Sequence, residues 1–539
     1  MTPPLEKKNM LWLWSILLYM PVILYYTAHV YSPLIAQEMK PTMFINSDMF
    51  SYMADAREYY DSSTFHLFYQ NPFTDSDNSN HIYFQPHIFL LGMLMKICGD
   101  YPGIIFSTFG FISGVVCLRL LTGFYHAWAG LDSPPKKIIL IILCWGGGLL
   151  SLSGFVYHLG QGQDIAYAYK NSAVFDPFDG WWFLNFGRNL IFPTEAYYHA
   201  VFIGAVFALY AKRYILFVAL VFLLSLSHPF TGTQLLLISL AYFFVEKYII
   251  RNTGQPSYVF WSLLGIAFFH FGYYMVYLMR DPEHSILVEQ WSRNWNAGFM
   301  SSVLAYCLTG ALFIANINTL EKAKKYFVSP FNRFLLAWFL TSLLLESNGL
   351  FMPHPIQPAH FTRGYSWLAL FLMGFPALLK LISFLWERRV HRYVTIPLLA
   401  VIFMSDNLLW MPITARDMAL NQYFYMTPEL ADLFTELKKE KYQSHLVVAN
   451  DQKIAYWITV YTPLRSWSPH DFSTSNALGR QFDIHLLFID GIITHKWKGR
   501  KILVLIKKYP GYDVNIKKVI ALMNREYESQ NSLVYSGQF

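Results

Sequence analysis

The stretch FQPHIFLLGMLMKICG, residues 84–99, governs the topology of the chain. It is apolar, opens on Pro86 in a helix-start position and ends on Lys96 and Gly99. It is also shorter than the roughly 20 helical residues that a ~30 Å hydrocarbon core requires. Counted as a span, it breaks the charge rule. Read as an interfacial or re-entrant helix, it leaves Lys7/Lys8, Lys136/Lys137, Lys212/Arg213, Lys247/Arg251, Lys322/Lys324/Lys325 and Arg388/Arg389/Arg392 on one face, which positive-inside bias makes cytoplasmic. The outer face then receives loops 32–102, 158–194, 280–297 and 347–363, the HPFTG turn at 228–232 and the tail after 413.

Composition agrees with a membrane chain: 55% hydrophobic and 18% aromatic residues, with only 14% charged, over 539 residues. Apolar runs are expected to span near 10–31, 103–125, 137–157, 195–211, 214–228, 231–250, 258–279, 298–317, 331–346, 364–386 and 393–412, about eleven helices with a cytoplasmic N-terminus. Runs such as YILFVALVFLLSL do not alternate, which excludes a β-barrel. The first run reads as a retained anchor, because no small-residue cleavage site follows it. A net charge of +7 marks topology here and not nucleic acid, since the basic residues cluster at the ends of apolar runs. Cys98, Cys117, Cys144 and Cys307 have neither disulfide nor zinc spacing.

Two domains follow: a transmembrane domain, 1–413, whose first outer loop at 32–102 carries juxtamembrane helices, and a small α/β domain, 414–539, on the outer face. In the tail, TPELADLFTELKKE (427–440) has Thr427 as N-cap and Pro428 at the first helical position. HLVVAND and KILVLIKK read as buried strands, and DVNIKKVIALMNREYES as a closing amphipathic helix.

The first outer loop gathers charge in INSDMFSYMADAREYYDSS, 45–63. Asn46 or Ser47 can cap a helix beginning at Asp48, which puts Asp48, Tyr52, Asp55 and Tyr59 on one stripe and makes Arg57 and Asp61 an i, i+4 pair. A capped surface helix with ordinary charges has the same pattern. The flanking FHLFYQNPF is aromatic enough to wall water away from a carboxylate, leaving Asp48 ionised by the helix N-terminus yet a stronger acceptor. Asp75 and Asp77 form a D-x-D that could ligate a cation, but without the glycine of a tight calcium loop and among small polar neighbours a flexible polar loop is the preferred reading.

DPFDGWWFLNFGRNLIFPTEAYYHA, 176–200, brings Asp176, Asp179, Trp181, Trp182, Arg188, Glu195 and His199 to an outer boundary. Arg188 reads either as a snorkelling interfacial arginine or as a phosphate ligand. His228 precedes Pro229 at an outer helix end, and MPHPIQPAHFTRGY, 352–365, supplies His354, Gln357, His360 and Arg363 at another. Single histidines at helix ends are usually structural, but these loops together with Arg188 and Arg293 suggest an anion site, because a desolvated phosphate needs several donors at once. No P-loop, zinc-protease helix, dinucleotide fingerprint or nucleophile elbow is usable, so soluble nucleotide chemistry is not expected.

A multi-span chain whose first outer loop carries a helix-opening aspartate, an aromatic stretch and a short P-x-x-F-L-L helix (86–91) resembles the GT-C glycosyltransferase superfamily, best over the first ~250 residues. R-N-L-I-F-P at 188–193, HPFTG and QPAHFTRGY also look like segments of bacterial members. The resemblance implies that the acid of the first outer loop, here Asp48, is the catalytic or metal-binding centre, and that the donor sugar rides on a polyprenyl phosphate. Many members place two acids close together there, whereas this chain has Asn46-Ser47-Asp48. That departure counts against a metal: Asn46 can lend an oxygen and Asp55 a second carboxylate to a divalent cation (Mg or Mn), but no cofactor is expected with certainty.

The expected protein is an inverting glycosyltransferase with Asp48 and Asp55 as catalytic acids. Arg188, His228, His360 and Arg363 are expected to hold donor phosphate, with Asn46, Arg57, Tyr52 and Glu195 in support. Its expected partners are a polyprenyl-phosphate-linked sugar, a glycan, lipid or protein acceptor and the bilayer. A lipid-linked-glycan polymerase or ligase, or a transporter or flippase, is the alternative. A bacterial inner membrane with a periplasmic site is favoured over endoplasmic reticulum because the outer loops hold no N-x-S/T acceptor.

Overall fold

The computed structural model describes residues 5–31, 38–75, 79–181, 184–252, 254–291, 295–420, 424–508 and 517–538. Among them, seven helices are long and apolar enough to cross a membrane: Asn9–Val30, Pro102–Trp128, Pro229–Ile249, Ser257–Arg280, Phe299–Ile317, Tyr365–Trp386 and His391–Asp417. Nine segments qualify if two bent pairs each count as one, Pro134–Trp145 with Leu150–Gly160 (71°) and Leu320–Phe327 with Pro330–Glu346 (104°). The protein is an integral multi-pass membrane protein. The two remaining expected spans are also helices, Pro193–Tyr210 and Tyr214–Ser227. At 14 residues the second reaches only ~21 Å, which is why it falls short by length alone. Pro86–Cys98 has 13 residues and is short for the same reason.

The chain divides into two compact units. The first comprises Met1–Ala28, Phe109–Gly272 and Ser292–Asp417. Its helices pack around large buried rings, Trp338, Trp367 and Trp410 among them. Phe299–Ile317 lies along Tyr365–Trp386, where a Cβ on Gly374 would come within 2.8 Å of Leu312 Cβ; the missing side chain is what lets the two backbones approach.

The second unit comprises His29–Thr108, Tyr273–Trp291 and Met418–Phe539, so the C-terminal segment is joined compactly to the first loop. Lys40–Pro41 pairs antiparallel with Tyr425–Met426. A five-stranded sheet runs in the order Arg465–Ser466, Leu446–Ala449, Lys501–Lys507, Ser532–Gln538, Asn524–Glu528; its first three strands are parallel and its last two pairings antiparallel. Trp467, Trp497, Leu487, Phe488 and Val504 form its core. The strands expected in HLVVAND and KILVLIKK are present, and Thr427 caps Pro428–Leu437 by accepting from Leu430 N–H. The closing helix is not. Residues 513–516 lie outside the described residues, Lys517–Ile520 is one helical turn, and Asn524–Glu528 and Ser532–Gln538 form a hairpin. Pairing along the whole of Lys501–Lys507 overrides the weak helical preference of this segment.

Candidate functional site

The candidate residues fall into both units. In the second unit, the helix Met49–Asp61 packs on Pro86–Cys98 and on Gln452–Tyr461. Asp48 is its N-cap, one residue outside the helix, and its side chain caps nothing. Asn46 does the capping: its Oδ1 accepts from Asp48 N–H at 2.7 Å. Asp48 is exposed at the positive end of the helix, in contrast to the dry cavity expected from the aromatic stretch. Tyr69 and Phe73 of that stretch are buried, but Phe65 points outward.

Each other acid near this helix, except Asp55, is neutralised. Asp61 pairs with Arg57 at 3.2 Å, and Asp100 with both Arg57 and Lys438. Glu58 pairs with Arg465 at 2.9 Å. Arg57 is buried and its Nε donates to Val460 O at 2.6 Å, so it is a clamp between segments and its supporting role is structural. Tyr52 packs its ring near Phe106 and His87. Asp55 is withdrawn beside Tyr69; burial, reinforced by the charge of Glu58, pushes its carboxyl well above the usual range, and the Tyr69 hydrogen bond offsets this only in part. Asp55 thus lacks the water-facing setting of Asp48. Asp48 therefore stands alone: among the described residues it forms no ion pair.

A cation does not fit this set. Asn46 Oδ1 is committed to Asp48 N–H, and Asp55 lies two turns, ~10 Å, along the helix. Among the described residues no group of three or more His, Cys, Asp or Glu is arranged to hold a metal. Asp75 of the D-x-D sequence is gripped by Arg480 at 2.8 Å and Arg500 at 2.6 Å, which hold its carboxyl below the usual value against the effect of burial. Asp77, Trp182 and Arg293 lie outside the described residues.

In the first unit, Glu195, His360 and Arg363 come together, and His228 lies beside them across the ring of Phe230. Arg363 forms an ion pair with Glu195 and its Nη2 lies 2.5 Å from His360 Nδ1. Phe230 stacks on the His360 ring at 4.5 Å, and His228 stacks on Tyr198 at 4.5 Å while its Nδ1 accepts from Thr231 N–H to cap Pro229–Phe244. Burial lowers His360 to about 3, so its ring is neutral and accepts from the guanidinium. His199 Nε2 lies 2.9 Å from Arg363 O, fixing the backbone where Arg363 (φ +30°) and Gly364 (φ +72°) turn. A Cβ on Gly364 would meet the Asn185 backbone at 2.7 Å, so glycine is what lets this turn rest on the 185–188 loop.

Arg188 does not belong to that group as a free donor. It is fully buried and paired with Asp176; Nη2 donates to Asp406 O at 2.9 Å, Nε to Asn407 Oδ1 at 3.2 Å, and the guanidinium lies 4.7 Å from the Trp410 ring centre. Four of its five N–H donors are thereby engaged, with Nη1 also donating to Gly180 O at 3.3 Å, so the buried charge is met largely by the protein's own groups. The same network spans the Gly146–Leu149 break. Asp406 carboxylate oxygens accept from Gly148 N–H (2.8 Å) and Ser151 N–H (2.9 Å), while Asn407 Nδ2 donates to Trp145 O (2.6 Å). One side chain thus caps the start of the second half-helix and its neighbour the end of the first.

Two residues beside Asp48 escaped sequence reasoning, His470 and Tyr456 of the C-terminal segment, with Tyr456 OH donating to Ser47 O at 3.0 Å. Their only local signal is the Pro469-His470 turn, and the contact spans over 400 residues of chain.

No family model matches the chain, and no curated protein matches it in sequence. Solved structures do. The chain has a fold of the GT-C type. The structure that carries this is ArnT from Cupriavidus metallidurans in the apo state, 10% identical over 97% of each chain, with a TM-score of 0.52. The same ArnT bound to undecaprenyl phosphate aligns at 12% identity over 97% of this chain and 98% of that one, TM-score 0.48. The apo oligosaccharyltransferase of Archaeoglobus fulgidus aligns at 11% identity over 83% of this chain and 64% of its own, TM-score 0.40.

Proposed function

We propose that this protein is an inverting membrane glycosyltransferase that moves a sugar from a polyprenyl-phosphate donor to an acceptor on the outer face of a bacterial inner membrane. The observation that carries the reading is the setting of Asp48: beside a helix whose own acids are ion-paired or withdrawn from water, an exposed carboxylate with no ion pair among the described residues is kept at the helix N-terminus, on a GT-C-type fold. ArnT, whose apo form has this fold, binds undecaprenyl phosphate, which agrees with a polyprenyl-phosphate donor.

Asp48 accepts the proton of an acceptor hydroxyl as that oxygen bonds to the anomeric carbon. The bond from that carbon to the phosphate oxygen breaks, its electron pair leaving on the lipid phosphate. Charge grows on the phosphate, so preorganised donors act most strongly there. Of the phosphate ligands expected from the sequence, Arg363, His360 and His228 are the first unit's candidates for such donors, the Arg363 guanidinium being paired with Glu195. The acceptor is a glycan, a lipid or a protein, and no step requires a metal.

The test is the purified full-length chain in lipid nanodiscs. Mass spectrometry of copurifying lipid is expected to find a polyprenyl-phosphate sugar. Asp48→Asn is expected to retain that lipid and to lower transfer by a factor of roughly 10² to 10⁴, the usual contribution of a general base. Transfer at the wild-type rate by Asp48→Asn removes the mechanism.

A further inference from the structure

Arg119 is the one Asp, Glu, Lys or Arg among the 27 residues of Pro102–Trp128. It stands on an outer stripe of that helix, with Val116 one turn and Ile112 two turns before it, both exposed. Asn9–Val30 lies alongside, joined by a hydrogen bond between the Ser15 and Thr122 hydroxyls at 3.1 Å, and it exposes Trp12, Leu13 and Ile16. On two spans of a membrane protein, such a surface faces acyl chains. The Arg119 guanidinium lies 5.5 Å from the Trp12 ring centre. Gly123 gives it room: a Cβ there would come within 2.9 Å of Arg119 Nη1 and 3.3 Å of the Phe207 ring, so the guanidinium is turned along the helix toward Trp128. That sets its depth. A 27-residue helix is ~40 Å long and overhangs a ~30 Å hydrocarbon layer by ~5 Å at each end, which leaves the Arg119 Cα ~8 Å inside the layer but Gly123 only ~2 to 3 Å inside. The guanidinium therefore comes within reach of the lipid phosphates.

What this cation lacks is an anion. The buried arginines Arg57, Arg188, Arg363 and Arg480 each pair with a carboxylate. Among the described residues Arg119 forms no ion pair and no hydrogen bond, and its Nε, shut off from solvent, has no acceptor. Guanidinium donors left unmet beside hydrocarbon are costly, and the anions a bilayer offers at this depth are phosphates. We propose that Arg119 is the headgroup ligand of a bound anionic glycerophospholipid. Its N–H fork takes the lipid phosphate, the rings of Trp12 and Phe207 flank the guanidinium, and an acyl chain lies along Val116 and Ile112. An anionic lipid is preferred because a zwitterionic one brings its own cation to the phosphate. The inference is independent of the glycosyltransferase reading, since it uses none of the residues assigned to sugar transfer.

The test is a lipid titration of the purified full-length chain in non-ionic detergent, with lipid-bound species counted by native mass spectrometry. The first phosphatidylglycerol is expected to bind wild type about tenfold more tightly than Arg119→Gln, the scale of one charge-assisted contact at a half-exposed site. Phosphatidylcholine with the same chains is expected to separate the two proteins by about twofold or less, its phosphate being partly compensated. Arg213→Gln, which removes an exposed charge from another helix end, is expected to bind phosphatidylglycerol as wild type does. Equal phosphatidylglycerol affinity in wild type and Arg119→Gln overturns the proposal, and an equal loss in Arg213→Gln does so by reducing the effect to net charge. Displacement of the bound phosphatidylglycerol by an equal concentration of undecaprenyl phosphate also overturns it, because the site would then belong to a polyprenyl lipid. A measurement on wild type stands even if Arg119→Gln fails to fold. Phosphatidylglycerol carrying a diazirine in its headgroup is photolysed with the protein, and peptide mass spectrometry is expected to find adducts near Trp12 or within residues 118–128. Adducts absent from both segments overturn the assignment.

Discussion

Asp48 and Asp55 sit two turns apart on one helix and meet opposite fates. The first faces water at the positive end of the helix; the second faces Tyr69 and Glu58, where ionising it costs solvation and adds repulsion. A carboxyl whose folded pKa is raised binds its proton more tightly in the folded state, so it weakens stability as pH climbs from the unfolded carboxylate value, near 4, through the raised one. Asp55→Asn removes this penalty. Its thermal midpoint is expected to match wild type near pH 4 and to exceed it progressively toward pH 8, with sugar transfer retained. A loss of transfer as deep as that of Asp48→Asn would instead make Asp55 the second catalytic acid. Arg57 and Arg188 carry the same lesson for cations: the first reads in the sequence as a supporting residue and the second as a phosphate ligand, and each is engaged by acids near in sequence and by carbonyls more than 200 residues away. Which partner a charged side chain finds is a tertiary fact that spacing along one segment does not carry.

At the scale of elements, the break at Gly146–Leu149 shows how half-helices are held inside an apolar bundle. Unsatisfied helix-end groups away from water are costly, and Asp406 and Asn407 supply the missing partners from one turn of another helix. Gly148 is part of the device: a Cβ there would lie 2.2 Å from Leu304 O. Gly148→Ala must push that backbone away and is expected to lower the detergent melting midpoint by several degrees, with Asp406→Ala lowering it further, because a cap lost in an apolar setting leaves two amide groups unpaired. A midpoint within a degree of wild type in both would mean the break is held by other contacts. Elements were legible where one face or one period decides them. The spans followed from apolar runs, the capped helix at Pro428–Leu437 from Thr427-Pro428, and the buried strands from short apolar segments. The closing hairpin was hidden because its helical pattern is as good as its strand pattern until Lys501–Lys507 offers a partner. Of the candidate site, the Glu195, His228, His360 and Arg363 group was readable from loops sharing one expected face; His470 was not, since a lone histidine in a turn carries no sign of what it will meet.

For the whole molecule, the compactness of the second unit constrains how the chain crosses the membrane. Its three pieces, His29–Thr108, Tyr273–Trp291 and Met418–Phe539, can pack together only if they share one side, so the chain between successive pieces must cross an even number of times. The seven long helices alone leave odd counts in both intervals, three between the first and second pieces and three between the second and third. Counting Pro134–Trp145 with Leu150–Gly160, and Leu320–Phe327 with Pro330–Glu346, as one crossing each makes both even. Adding Pro193–Tyr210 and Tyr214–Ser227 together keeps them even, so nine or eleven crossings are admissible and seven are not. Cys98 is exposed in that unit, as is Leu522, while Lys324 is exposed near the bend of the second pair. In intact cells a membrane-impermeant maleimide is expected to label Cys98, and Leu522→Cys in a Cys98→Ser background, equally well. Lys324→Cys in that background should react only after the membrane is opened. Labelling of Leu522→Cys only after opening, with Cys98 labelled before, would break the parity and remove the first-loop carboxylate and His470 from a common compartment.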